Sequence, residues 1–128
     1  MAAMSDYLEN AIINATLRGT AYTSPSKVYL ALYTNDPTDA KTGTEVTGGA
    51  YARKEITFNA PSNGTAVSSA DVLFPVATAS WGTVTHIGIM DALTGGNLLY
   101  HGQLTNTKTI ATDDQLKIAA GDVSITLA

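Results

Sequence analysis

Residues 27–34, KVYLALYT, decide the fold class of this 128-residue chain. The segment is rich in β-branched and aromatic residues, which favour a strand. Alternate residues from Val28 to Leu32 fall on one side of such a strand, and alternate residues from Tyr29 to Tyr33 fall on the other. Because both sides are apolar, the segment predicts a central strand that is covered on both faces.

More strand-like segments follow, separated by turn signals. The predicted strands are 27–34, 51–58, 65–68, 71–76, 82–91, 97–104, 115–119 and 122–127. Two hairpins are expected, one around the glycine-containing turn at 92–96 and a closing one around Ala120 and Gly121. Pro75 places its segment near a strand end or sheet edge.

The order of these segments predicts a fold class. There is no βαβ alternation and no internal repeat. We therefore expect one mainly-β domain over residues 1–128, with a β-sandwich or jelly-roll-like arrangement of about seven or eight strands over 27–128 and one N-terminal α-helix.

The helix is predicted over residues 5–18. Ser5 is a natural N-cap, Asp6 and Glu9 lie where the helix dipole favours negative charge, and Gly19 is a natural residue just past the end. Apolar residues recur at three- and four-residue spacing: Met4, Leu8, Ala11, Ile12 and Ala15. We expect this face to pack on the domain's own sheet rather than on a partner.

Residues 35–50, NDPTDAKTGTEVTGGA, form a long polar stretch. A loop of this length in a compact domain is commonly either disordered or engaged in contacts. We interpret it as an interaction loop, with an unstructured surface loop as the alternative. Gly48 and Gly49, like Gly95 and Gly96, fit turn positions of positive φ better than a phosphate cradle, since neither pair opens a helix after a strand.

Composition excludes several classes of function. The chain has 7 basic and 11 acidic residues, a formal charge of −4 and only 14% charged residues, which argues against a nucleic-acid surface. No apolar run approaches the ~18 residues of a membrane span, so no membrane insertion is expected. Without cysteine there is no disulfide and no thiolate chemistry. A surface of low charge suits a subunit pressed against neighbours, although a threonine-rich β protein is an equal alternative.

The sequence offers no convincing catalytic constellation. His86 and His101 fall on the two strands of the predicted hairpin, but a metal site would need further ligands such as Asp91. We favour strand histidines that bond to backbone or threonine hydroxyls. The adjacent Asp113 and Asp114 lie in a polar turn and are expected to stay solvated. We predict no catalytic residue, no metal, no cofactor and no enzymatic activity.

Trp81 follows a run of small residues and is the chain's single tryptophan. A core or interface anchor is favoured for it over a platform for stacking a sugar.

Several blocks of the sequence carry a family resemblance that covers nearly the whole chain. They include residues 28–34, VYLALYT, residues 48–53, GGAYAR, and residues 119–127, AAGDVSITL. A further block is residues 74–89, FPVATASWGTVTHIGI, of which residues 74–86 are the most specific stretch. The chain resembles short bacteriophage and prophage proteins commonly labelled phage tail fibre protein. Phages also build capsid decoration, or cement, proteins as compact β domains of this size.

The resemblance implies a virion structural protein that is made in the host bacterial cytoplasm. The favoured expectation is a capsid decoration protein on the capsid exterior, a homo-oligomer (trimer favoured, dimer possible) in contact with the major capsid protein. The alternative is a tail fibre or adhesin module that binds a host surface receptor and contacts other tail proteins. The candidate interface residues are Tyr22, Tyr29, Asp36, Pro37, Gly48, Gly49, Tyr51 and Trp81.

Overall fold

The computed structural model describes residues 2–127; the ends of the predicted domain, residues 1 and 128, lie outside them. The described elements are β1 (Ala2–Met4), α1 (Asp6–Leu17), β2 (Val28–Tyr33), β3 (Lys54–Ile56), β4 (Thr65–Val67), β5 (Val72–Leu73), β6 (Gly82–Met90), β7 (Leu98–Ile110), β8 (Lys117–Ile118) and β9 (Ser124–Thr126). They form a five-stranded antiparallel sheet in the order β1-β7-β6-β2-β3 and two two-stranded ladders, β4-β9 and β5-β8. The prediction of a mainly-β domain with one N-terminal helix is confirmed.

β2 is an inner strand of the large sheet, as residues 27–34 predict. It pairs with β3 through Val28↔Ile56 and with β6 through Leu30↔Ile89. Residues 30 to 33 are all buried. The apolar character of both sides of this strand therefore reflects cover on both faces of the sheet.

The main core lies between the large sheet and the two ladders. Its buried members come from both layers: Leu30, Leu32, Val46, Ile56, Val72, Phe74, Ala77, Trp81, Val84, Ile89, Ile110, Leu116, Val123 and Ile125. This two-layer arrangement leaves each ladder with one buried and one solvent-facing side. It accounts for the apolar-polar alternation of residues 122–127.

The opposite face of the sheet carries a second, smaller core of Ala31, Tyr33, Met90 and Leu98. Gly88 makes this packing possible. A Cβ at position 88 would lie 2.8 Å from Leu98 Cδ1 and 2.9 Å from Tyr33 Cε1, so any larger residue would displace them.

Helix α1 begins and ends as the sequence predicts. The Ser5 side chain accepts a hydrogen bond from Leu8 N at 3.2 Å, and the Ser5 hydroxyl also donates to Leu98 O on β7. Gly19, at φ 67°, lets Thr20 N reach back to Asn14 O at 3.0 Å. The helix lies against β7 and buries Leu8, so the preference for packing on its own sheet is confirmed for that residue.

The predicted apolar face of the helix is wrong at two of its positions. Met4 is not helical: it lies in β1, which pairs with the edge of β7 through Met4↔Tyr100. Ile12 keeps 37% of its surface exposed. Three residues are too few to show a strand period, and backbone pairing with β7 rather than any local pattern fixes β1.

The predicted closing hairpin of residues 115–119 and 122–127 is wrong. β8 pairs with β5 through Val72↔Ile118, and β9 pairs with β4 through Ala66↔Ile125. Asp71 Oδ1 accepts from Ala120 N at 2.8 Å, which ties the turn to the start of β5. The turn signal at Ala120 and Gly121 is genuine, but each flanking strand pairs with a different, distant segment.

Neighbouring residues 73 and 74 allow a matched test of the main core. Phe74 is fully buried, whereas Leu73 is 51% exposed. We expect Phe74→Ala to lower the free energy of unfolding by about 3–5 kcal/mol through lost burial and a residual cavity. Leu73→Ala should cost less than ~1 kcal/mol. Urea denaturation of both variants measures the difference, and equal losses would contradict the assigned core.

Candidate functional site

Of the aromatic residues predicted as contact surface, Trp81 is buried and the three tyrosines Tyr22, Tyr29 and Tyr51 are half-buried. Trp81 is 4% exposed and makes edge contacts with Tyr51 and Phe74, at ring-centroid distances of 5.4 Å and 6.4 Å. Its indole Nε1 donates to Gly49 O at 2.8 Å. The core-anchor interpretation of Trp81 therefore fits, and a sugar-stacking role for the folded chain's tryptophan is wrong because no ring face is open.

Gly49 explains how the loop approaches this cluster. A Cβ at position 49 would lie 2.8 Å from Ala79 O and 2.9 Å from Trp81 Nε1. The φ values of Gly48 and Gly49, 75° and 57°, confirm them as turn glycines, and Gly95 and Gly96 likewise have positive φ. Gly49 and Gly96 are needed for close packing, whereas Gly48 and Gly95 have open space around a Cβ and serve the turn conformation alone.

The 35–50 segment folds back on its own domain. Val46 is buried in the main core and donates from its N–H to Leu32 O at 2.9 Å. Pro37 is buried as well. Further bonds to the rest of the chain are Thr34 N to Thr44 O (3.1 Å), Asp6 N to Asp39 O (2.9 Å) and Lys41 Nζ to Gly96 O (2.8 Å). An unstructured loop is therefore wrong for these residues, and Asp36 remains exposed at the surface.

Arg53 is the centre of the network that holds this segment. It is 8% exposed, and its Nε and Nη2 donate to the two carboxylate oxygens of Glu45, both at 2.8 Å. Its Nη1 donates to Ala92 O at 2.9 Å and Gly95 O at 2.8 Å, in the turn between β6 and β7. One guanidinium thus joins the 35–50 segment to the β6–β7 turn.

Tyr51 extends the network to the central strand. Its hydroxyl donates to Glu45 Oε2 at 2.6 Å and accepts from Leu32 N at 3.0 Å. The side chain thereby takes the place of a neighbouring strand at a point where β3 no longer pairs with β2. Burial, followed by the bond to Glu45, raises the pKa of Tyr51 far above its ordinary value, so the hydroxyl stays a donor.

Opposing effects act on the pKa of the Glu45 carboxyl, and their net effect is to lower it. Burial alone would raise the pKa of Glu45, but the hydrogen bonds from Arg53 and Tyr51, together with the Arg53 charge, outweigh burial and lower it. The same pairing raises the pKa of Arg53. Both partners are therefore charged under ordinary conditions. Sequence reasoning missed this pair because no local pattern links residues 45 and 53.

The two histidines have separate partners. The β6–β7 register pairs His86 with Gln103 and Gly88 with His101, so the histidines lie diagonally across the hairpin. His86 Nδ1 bonds to Thr85 Oγ1 at 2.8 Å, as expected for a strand histidine. His101 Nε2 instead bonds to Asp39 Oδ1 at 2.7 Å, a carboxylate that sequence reasoning did not pair with it.

The aspartates considered as metal ligands have structural contacts. Both carboxylate oxygens of Asp91 bond to Asn97, at 2.7 Å to N and 3.0 Å to Nδ2, and so close the β6–β7 turn. Asp114 accepts from Ala111 N at 2.9 Å. A different acidic group, Asp6, Glu9 and Asp39, gathers its oxygens within 4.8 Å at the exposed start of α1.

The remaining surface features lie beside α1 and near the β4-β9 ladder. Tyr22 and Tyr29 are half-buried, and Tyr22 lines a cleft of about 300 Å³ beside α1. A wider concavity of about 480 Å³ lies among Tyr100, Ile125 and Leu127. Within residues 2–127, no helix has the length and hydropathy needed to cross a membrane.

Comparison with known families identifies the chain's relatives. Residues 3–126 match the family model described as Podophage GP4 fiber I protein gp80. The chain belongs to this family. It is accordingly a bacteriophage fibre-type structural protein associated with the virion. The resemblance to phage tail fibre proteins is thereby confirmed. Among curated proteins, no sequence matches the chain.

The contribution of the Arg53–Glu45 pair to stability can be compared with that of the exposed Lys27–Glu55 pair in the same fibre-family fold. Arg53→Met leaves the Glu45 carboxylate, 22% exposed, without its partner, and should cost about 3–5 kcal/mol of unfolding free energy. Lys27→Met breaks a pair whose side chains are 60% and 45% exposed and should cost less than ~1 kcal/mol. Similar losses of unfolding free energy for the two variants in urea denaturation would show that the Arg53 network stabilises the fold no more than the exposed pair does.

The pH dependence of stability should reveal the contribution of the Glu45 carboxylate. Because folding lowers the pKa of Glu45, its contribution is present above the unfolded value of 4.5 and is lost as the pH falls through the folded pKa. We expect the wild type to lose stability below about pH 4.5 more steeply than Glu45→Gln, measured by urea midpoints. Identical slopes for the two proteins would rule out this contribution.

Proposed function

We propose that this family member is a fibre subunit of the phage tail that acts by docking to other virion subunits and not by catalysis. The family match over residues 3–126 supports a place in a fibre. The hydrogen-bonding groups of Glu45, Arg53 and Asp91 serve the fold, which supports a structural role. The partners we propose are further copies of the chain, with a trimer favoured over a dimer, and neighbouring tail proteins.

The outer side of α1 is the observation on which this proposal depends. Ile13 and Leu17 lie four residues apart, so they share one side of the helix, away from buried Leu8. They are 52% and 79% exposed. Large aliphatic side chains paired on a solvent-facing helix are typical of a contact surface, because covering them removes apolar area from water at little desolvation cost.

A capsid decoration protein is the second candidate. Residues 2–127 fold without a repeated, elongated segment, and only 14% of the chain's residues are charged. Both features suit a subunit that covers joints on the capsid exterior and binds the major capsid protein in many copies. The same side of α1 would serve as the contact surface.

Mass-spectrometric stoichiometry of purified particles separates the candidates. A fibre subunit should be present at a copy number close to that of the tail proteins, whereas a decoration protein should approach the number of major capsid proteins. Finding the chain absent from particles would overturn both.

A double substitution tests the docking surface in the same particles. Ile13→Ser with Leu17→Ser should reduce incorporation by about tenfold, since losing two buried aliphatic contacts costs at least ~1.4 kcal/mol of docking free energy. Leu73→Ser, at an apolar residue 51% exposed on another face, serves as the matched control and should incorporate normally. Equal incorporation of the double variant and the control would show that this side of α1 is not the docking surface.

A further inference from the structure

Residues 2–17, which comprise β1 and α1, form an N-terminal arm at the edge of the large sheet. β1 is the outermost strand of that sheet and, among the described strands, pairs only with β7. Leu8 is the one buried residue of α1, and a helix of 12 residues is marginal in water without packing. Asp6 N donates to Asp39 O at 2.9 Å. The arm therefore depends on a small set of bonds for its place on the domain.

Most of these bonds are made to β7. Ala2 lies opposite Gly102, and Ser5 N donates to Leu99 O at 2.9 Å, which continues the same antiparallel register. The Ser5 side chain is buried and donates from its hydroxyl to Leu98 O. None of these partners belongs to the segment that follows the arm in the chain. The β7 strand of a second copy therefore offers the arm the same set of partners.

The segment that connects the arm to β2 is loosely attached. Residues 18–27 contain no helix or strand. Beyond Thr20, whose N–H donates to Asn14 O, no backbone group of residues 21–27 bonds to another described residue. A cleft of about 300 Å³ lies between α1 and the first part of this segment. When extended, residues 18–27 reach about 33 Å, which is about the diameter of a small domain.

We propose that the arm is exchanged between copies, so that β1 and α1 of one chain lie on the β7 edge of a neighbouring chain. The exchanged form keeps every bond of the arm to β7, and opening residues 21–27 breaks no backbone hydrogen bond. Exchange of an identical element is for this reason a low-cost route to an oligomer. In the favoured trimer, each copy passes its arm to the next around a ring. The inference rests on the proposed docking between copies and names the segment that joins them.

The exposed side of α1 favours the exchanged form over the closed chain. Ile13 and Leu17 stay in contact with water when the arm lies on its own chain, at 52% and 79% exposure. Exchange links two copies covalently through residues 18–27 of the donor and holds them side by side. A contact that covers Ile13 and Leu17 then forms at a high effective concentration. Removing these aliphatic groups from water adds free energy that the closed monomer lacks.

The absence of cysteine from the chain makes a disulfide test clean. The Ser5 N to Leu99 O bond fixes the alternation of the β1–β7 ladder and makes Ala2 and Gly102 a non-hydrogen-bonded pair. Such pairs have Cα atoms about 4.5 Å apart, within the range that a disulfide spans. A cysteine at each position therefore reports whether the arm and the β7 edge belong to the same chain.

Co-expression of two single-cysteine chains with tags of different mass tests the exchange. We expect Ala2→Cys and Gly102→Cys chains to form a disulfide-linked heterodimer after mild oxidation, detected by mass spectrometry without reduction. Ala2→Cys with Leu73→Cys is the matched control, because Leu73 is 51% exposed and lies on β5, away from the β7 edge. This control mixture should give no more linkage than random collision of exposed thiols.

A chain that carries both Ala2→Cys and Gly102→Cys gives the complementary result. In the exchanged form, its disulfides join neighbouring copies, so the denatured, unreduced protein has the mass of a covalent dimer or trimer. If Gly102→Cys does not fold, Met4→Cys with Tyr100→Cys, the other non-hydrogen-bonded pair of this ladder, replaces it. Internal disulfides in monomeric chains, with no heterodimer in the mixture, would overturn the proposal.

These outcomes separate arm exchange from the proposed function. Particles that contain the chain while all its disulfides are internal refute the exchange alone and leave docking through α1 in place. A chain absent from particles refutes the place in the virion, whereas interchain disulfides in the purified protein still support the exchange.

Discussion

The charge of Arg53 must be compensated inside the fold, and this constraint shapes much of the molecule. Its guanidinium bonds to the Glu45 carboxylate on one side and to Ala92 and Gly95 carbonyls on the other. Breaking such a set leaves a charge without partners in a poorly solvated place, which is more costly than losing an exposed pair. Two segments that could otherwise move, 35–50 and the β6–β7 turn, are thereby held on the central sheet.

Local signals in the sequence predict much of the fold. The alternation of residues 27–34 predicts an inner strand, and Ser5 and Gly19 mark the two ends of α1. The closing hairpin could not be predicted correctly, because Ala120 and Gly121 specify a turn and say nothing about which strands flank it. β8 pairs with β5, and β9 pairs with β4. These pairings join distant segments of the chain, and they depend on the shared core around Phe74 and Val123.

The candidate site was harder to predict than the fold. Trp81 and Tyr51 are contact residues in many interfaces, but here close approach of Gly49 buries them together. The spacing of Glu45 and Arg53 in the sequence is not one from which a helix or strand pattern would predict a contact. Only the folded chain brings the two side chains together. Tyr22 is different: the sequence predicts it as a contact residue, and the structure places it, half-buried, in a cleft beside α1, where its interface role stays a prediction.

The 35–50 segment folds back on its own domain, and the contact surface that we propose for this fibre-family protein is the outer side of α1. Native-state hydrogen exchange of Arg53→Met tests whether the network holds that segment most directly. We expect faster exchange at the Val46 and Thr34 amides, while the Trp81 amide, bonded to Ile110 O at 2.9 Å, changes only with global stability. Unchanged protection of Val46 and Thr34 relative to Trp81 would contradict it.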